Sequence, residues 1–182
     1  MPALKPRKKK PSKPGKDSGI KMTYGIDPGK SGAIVLLDTE GKISGLCGMP
    51  EDDEELAFVL SAIIDAGPTT DVWIERIPKY AGKNQSGASV ATLFANYRYI
   101  VGFLEGRGVL VNQVVPQAWQ KPYRLVTKNW QMFTYSQRKK ALHEHALSEF
   151  FTDKKNLPRW AADAALIALH GHKARSETNT KH

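Results

Sequence analysis

The chain has 182 residues, 41% of them hydrophobic and 25% charged, and carries a formal charge of +9. That is enough for one domain with a sizeable core, and no stretch approaches the roughly 18 apolar residues of a membrane span or shows the apolar core of a signal peptide. The single cysteine, Cys47, excludes an internal disulfide and a cysteine-based zinc site, and it points to a reducing compartment.

Residues 1–20 hold seven Lys and Arg against Asp17 alone, which leaves only +3 for residues 21–182. Interrupted by prolines and glycines, with almost nothing to bury, this segment reads as a disordered basic tail. A solubility tail and a targeting signal both fit it. A polyanion-binding arm fits better, because lysines near phosphates gain from counterion release.

From Lys21 the pattern turns to strands. "KMTYGID" and "SGAIVLLD" flank a tight turn at Pro28-Gly29-Lys30, and a third strand follows "GKIS" over Ile43–Met49. Pro50 to Asp53 open a helix that runs to Ala66, with acids in the first turn where the helix dipole favours them. "DVWIERI" predicts a buried fourth strand ending near Glu75, followed by the polar loop Pro78–Ser89. A long helix spans Ser89–Gly106, its stripe made by Val90, Leu93, Phe94, Tyr97, Val101 and Leu104. "VLVNQVV" is a fifth strand ending at Pro116. The stretch "QAWQKPYRLVTKNWQMFTY" reads as a short helix and an irregular loop. Two helices close the chain, Ser136–Phe151 and Leu157–His170, the second with Asn156 as its cap and Pro158 in its first turn. The order predicts an α/β domain over residues 21–174, a five-stranded mixed sheet flanked by helices, with a short flexible end at 175–182.

Three carboxylates stand in costly places. Asp27 ends the first strand, Glu75 ends the fourth after "VWI", and Asp163 lies inside "AADAALIAL". An ionised acid in apolar surroundings needs a partner or a cation. Singly, Asp27 reads as a turn residue nearly as well as a ligand, and Glu75 as the partner of a lysine. Together, the three are better explained by convergence on a metal. Hard Mg²⁺ takes a few carboxylates, keeps waters and binds substrate phosphate, and two such ions about 4 Å apart serve phosphodiester hydrolysis.

Four segments in order, "YGIDPGKSGAIVLLD", "VWIERIP", "KKALHEHALSEFF" and "RWAADAALIALHGH", resemble the RuvC family of Holliday-junction resolvases within the RNase H-like superfamily. The likeness runs from about Met22 to His172 and is nearest in feel to phage, bacterial and plant-organelle members. It implies an RNase H-like fold and a homodimer that resolves four-way DNA junctions by paired nicks. It implies Asp27, Glu75 and Asp163 as catalytic ligands of Mg²⁺, with two ions per site and Mn²⁺ able to substitute. Lys140 matches a catalytic lysine near the scissile phosphate, and Lys121 a second basic position. Further DNA contacts are expected at Lys30, at Lys79, Tyr80, Lys83 and Asn84 of the polar loop, and at Lys128, Arg138 and Lys139. Since resolvases place a wedge just beyond the strand-four glutamate, Tyr80 fits that role as well as that of a packed loop tyrosine. The long helix from Ser89 is expected to form the two-fold interface, the alternative being that its whole stripe covers the sheet.

One position departs from the family. Where many members carry an acid or histidine one turn before the last aspartate, this chain has Trp160, which cannot ligate a metal. Asp153 and His170 are the remaining candidates for a fourth ligand, although seven residues of helix put His170 about 10 Å from Asp163. Less selective cutting of branched DNA, or junction binding with little catalysis, are the rival functions. The expected setting is the cytoplasm or nucleoid of a bacterial or phage-infected cell, or an organelle.

Overall fold

The computed structural model describes residues 22–67, 70–77, 87–150 and 157–179. The expected basic tail, most of the polar loop after the fourth strand, and the Asn156 cap lie outside them.

The sheet has five strands: β1 (Met22–Asp27), β2 (Ala33–Leu37), β3 (Ile43–Gly48), β4 (Thr70–Glu75) and β5 (Val111–Val114). Their order is β3-β2-β1-β4-β5. β1, β4 and β5 run parallel, and β2 is antiparallel to both its neighbours. The tight turn between β1 and β2 closes with the Gly32 N–H donating to the Gly29 carbonyl at 2.8 Å. A side chain at Gly32 would collide with the Asp27 carbonyl, so the turn that begins at the first acid requires glycine there.

Each face of the sheet is covered. Ile26, Ile34, Val72 and Ile74 pack under α1 (Asp53–Asp65) and α2 (Gly87–Glu105), meeting Leu56, Leu60 and Ile63 from the first and Ile100, Val101 and Leu104 from the second. The α1 start is as the sequence indicates: Asp52 accepts from the Glu55 N–H at 2.7 Å, and three acids follow in the first turn. The α2 stripe divides. Tyr97, Val101 and Leu104 are buried against the sheet, whereas Phe94 is exposed.

The opposite face, with Ala33, Val35 and Leu37, is covered by α6 (Ala162–Asn179). Every residue from Ala161 to Leu169 is buried, so this helix shows no amphipathic stripe: it lies between the sheet and α5 (Tyr135–Phe150). Its alanines allow close approach. A Cβ at Gly25 of β1 would strike the Ala164 carbonyl and the Ala168 amide, and one at Gly171 would strike the Trp73 indole.

The irregular segment after β5 resolves into two short helices, α3 (Pro116–Trp119) and α4 (Lys121–Val126), and a 3-10 turn at Trp130–Met132. Two boundaries differ from expectation. Pro158 is extended, at φ −60° and ψ 142°, and precedes a 3-10 turn at Arg159–Ala161 instead of sitting within the first α-helical turn. At the other end, α6 continues through Asn179 where a flexible end from 175 was expected. Arg175 anchors it to β1, donating to Thr23 Oγ1 at 3.3 Å.

Gly25→Ala is expected to destabilise the protein by about 1–3 kcal/mol or more, since both clashing groups are backbone and cannot rotate away. Gly48→Ala, where nothing lies near the added methyl, is expected to stay within about 0.5 kcal/mol. Urea denaturation of the two variants checks the difference; equal midpoints would contradict the packing described.

Candidate active site

Asp27 and Glu75 share a face and an edge. Ile26 is the partner of Ile74 across the parallel β1–β4 pair, so the next residues, Asp27 and Glu75, emerge side by side at the carboxyl ends of these strands. Asp163, in the first turn of α6, is brought to them by the contact of that helix with β1 at Gly25. The rigid elements of the fold therefore gather all three acids.

Each acid has one oxygen tied. Asp27 Oδ1 accepts from the Gly29 N–H at 3.1 Å, Glu75 Oε2 from the Trp119 indole N–H at 2.9 Å, and Asp163 Oδ2 from Lys139 Nζ at 2.5 Å. The same ammonium lies 3.9 Å from Asp27 Oδ2. One cation thus serves two of three carboxylates.

The electrostatics record the imbalance. Burial, and then the neighbouring Asp27, push the Glu75 carboxyl up to about 8, with the Trp119 hydrogen bond working the other way. Burial also raises Asp27, offset in part by Lys139 and reinforced by Asp163. For Lys139, burial disfavours the charge, yet Asp163 and Asp27 outweigh it and raise its pKa.

The lysine at the acids is Lys139. Lys140 was expected there, but it points away, with a 72% exposed side chain that meets Glu144 at 3.9 Å. The reason is helical register. Ala141, Leu142 and Ala146 are the buried residues of α5, and Lys139 lies three residues before Leu142 and seven before Ala146. Lys140 falls on the flank with Glu144. That spacing was present in the sequence. The Trp119 contact with Glu75, also unforeseen, had no local signal, because it depends on how α3 returns over β4.

His170 is no fourth ligand in this arrangement: its ring stacks edge-on against Trp73, 5.4 Å between centroids, and burial lowers its pKa. Trp160 is 41% exposed in the 3-10 turn before α6. Asp153 lies outside the described residues, as do Lys79, Tyr80, Lys83 and Asn84. Lys30 is exposed in the β1–β2 turn and lines a cleft of about 320 Å³ with Thr92, Leu93 and Asn96 of α2. Lys121 lines a second cleft, of about 410 Å³, with Arg124, Leu125 and Gln131. Lys128 is exposed, and Arg138 is half-buried with its Nη2 donating to the Gln131 carbonyl at 3.4 Å.

Among the described residues, no three of His, Cys, Asp or Glu close on one point as a ready-made metal cage. The acids lie near enough to raise one another's pKa values, with the Lys139 ammonium beside two of them. The donor set is nonetheless all carboxylate oxygen and under-neutralised. That is the chemistry a hard divalent cation fits.

No family model and no curated protein matches the chain. Solved structures do. Thermus thermophilus RuvC in complex with Holliday junction substrate is 17% identical, with a TM-score of 0.57 and coverage of 86% of this chain and 97% of that one. A second Thermus thermophilus RuvC structure is 16% identical, with a TM-score of 0.53 and the same coverage. The chain therefore has the RNase H-like fold of these RuvC structures.

The Glu75 shift sets a pH dependence. Its folded pKa of about 8 lies above the ordinary 4.5, so its stabilising contribution is full below 4.5 and is lost as pH rises through 8. In chelator, stability is expected to fall across that window by at most about 1.4 kcal/mol per pH unit from this group. Glu75→Gln is expected to flatten the fall. Identical pH profiles of urea midpoints for the two proteins would contradict the assignment.

Proposed function

We propose that this protein is a divalent-metal-dependent endonuclease that resolves four-way DNA junctions. The observation that carries the reading is the gathering of Asp27, Glu75 and Asp163 around Lys139, on a fold shared with a RuvC bound to Holliday junction substrate.

The tied oxygens orient the site. With Asp27 Oδ1, Glu75 Oε2 and Asp163 Oδ2 engaged, the second oxygen of each acid is the natural donor to Mg²⁺ or Mn²⁺. Such ions, when bound, polarise the phosphodiester and make water a stronger nucleophile. Hydrolysis adds water across a P–O3′ bond and leaves a 5′-phosphate and a 3′-hydroxyl, ends that a ligase can seal. Lys139 supplies a fixed positive charge for the extra negative charge that develops on the phosphate oxygens. Trp119 holds Glu75 in place, and the Asp27 turn is fixed by Gly29 and Gly32.

A junction has two equivalent strands to cut, which suits a two-fold dimer. The exposed Phe94 on the outer part of α2 supports that helix as the dimer contact. One alternative has specific support. The acids do not close into a cage, and Trp160 stands where a further ligand would help, so a junction-binding protein with weak catalysis is the second reading.

A synthetic mobile four-way junction incubated with the protein and Mg²⁺ separates them. Symmetric, ligatable nicks that vanish in Asp27→Asn, with binding retained, support the resolvase. Binding without cuts in either Mg²⁺ or Mn²⁺ supports the second reading.

Lys139→Met is expected to lower cleavage about 10²–10³-fold, the range seen when one transition-state donor is removed. Lys140→Met is expected to stay within a few-fold of wild type. Single-turnover cleavage rates check this, and the reverse order would return the catalytic role to Lys140.

A further inference from the structure

Between Glu105 and Glu144 the chain contains no acid, while Arg107, Lys121, Arg124, Lys128, Arg138, Lys139 and Lys140 all fall there. The same stretch alternates in depth. Trp119, Tyr123 and Trp130 are buried and fix it to the core, whereas Leu125 and Met132 are each 77% exposed and Tyr135 75% exposed. Large apolar side chains held in water by a well-anchored backbone, in a stretch whose charged residues are all cations, mark a binding surface.

Its position is set by groups already described. Trp119, which ends α3, holds Glu75; Lys139, one turn beyond Tyr135 on α5, holds Asp163. The Lys139 ammonium is 5.8 Å from the centre of the Tyr135 ring. Leu125 shares its cleft of about 410 Å³ with Lys121, Arg124 and Gln131, and Arg138 reaches the Gln131 carbonyl. The surface therefore begins at the acids and runs outward along α4 and the start of α5.

We propose that this surface holds an unstacked nucleotide of the DNA strand beside the cut, with Lys121 and Arg124 on its phosphates and Leu125, Met132 and Tyr135 against its base. Paired duplex hides base faces inside the stack, so apolar side chains have nothing to cover there. A branch point offers a base with a free face, and stacking on it is tolerant of sequence. The absence of acids across the stretch rules against a cationic partner and suits a phosphate backbone. This inference rests on the nuclease reading and adds to it how branched DNA is told from linear DNA.

The test uses the full chain, Ca²⁺ in place of Mg²⁺ to hold off cutting, and a four-way junction carrying 2-aminopurine beside the branch point, with a linear duplex as comparison. Wild type is expected to change the 2-aminopurine fluorescence on binding. The combined variant Leu125→Ser, Met132→Ser, Tyr135→Ser is expected to lose that change and about tenfold or more in junction affinity, with duplex affinity and the salt slope unchanged. Lys121→Gln with Arg124→Gln is expected to keep the fluorescence change and to flatten the salt slope by about 0.9 per lost phosphate contact on duplex DNA. The three serine sites are exposed, and a wild-type melting temperature would show the fold intact. A serine variant with wild-type fluorescence and affinity, while wild type binds the junction, overturns this inference alone. Wild type that binds no DNA overturns the nuclease reading with it.

Discussion

Helix α6 lies on β1 with no side chain between the two backbones at Gly25, where the Ala164 carbonyl and the Ala168 amide occupy the space a Cβ would need. The placement of the three acids hangs on that approach. Strand register alone places Asp27 beside Glu75. Only a helix seated directly on the strand brings Asp163 into the same field, and only alanines and glycine let it sit so low. The run from Ala161 to Leu169 gives up amphipathicity to serve this packing, since it is covered by the sheet on one side and by α5 on another.

Bringing three carboxylates to one place is opposed by their charge, and the fold compensates for only part of it. Lys139 answers Asp163 and Asp27, while Glu75 keeps one neutral hydrogen bond, from Trp119, and a pKa of about 8. An acid raised so far is one that the folded chain does not want ionised without a further cation. The residual imbalance is what a divalent cation, if bound as proposed, would relieve, and binding would release the proton that Glu75 otherwise keeps. Gathering the acids therefore costs the folded chain stability, the trade expected where charge is stored for a purpose other than folding.

What the sequence revealed and what it concealed follow one physical division. Acids at apolar strand ends are conspicuous because burial of charge is costly, so Asp27, Glu75 and Asp163 stood out before any fold was known. The five strands and the acid-rich start of α1 rest on local patterns and are equally legible. The choice between Lys139 and Lys140 was a matter of helix rotation by about 100°, decided by which of the α5 residues are buried, and two adjacent lysines look alike until that face is known. Trp119 and the α6 extension to Asn179 depend on tertiary contacts, with Glu75 and with Thr23, that no local pattern encodes. The sequence indicates one short helix and an irregular loop where α3, α4 and a 3-10 turn form, for the same reason: the buried Trp119, Tyr123 and Trp130 fix them, more than their propensity does.

The site consequently has two kinds of part with different mechanical bases. The carboxylates ride on β1, β4 and α6, the most deeply packed elements, where any displacement would open the core. The cations and exposed apolar groups ride on α4, the 3-10 turn at Trp130–Met132 and the start of α5, which touch that core through a few side chains such as Tyr123, Trp130 and Leu142. Lys139 bridges the two, a residue of the outer layer bonded to an acid of the inner one. Changes in how α5 rests on α6 would therefore shift the ammonium, and with it the charge balance at Asp163, while leaving the carboxylate frame in place. The rim can therefore change its charge and apolar lining without disturbing the frame that gathers the three acids.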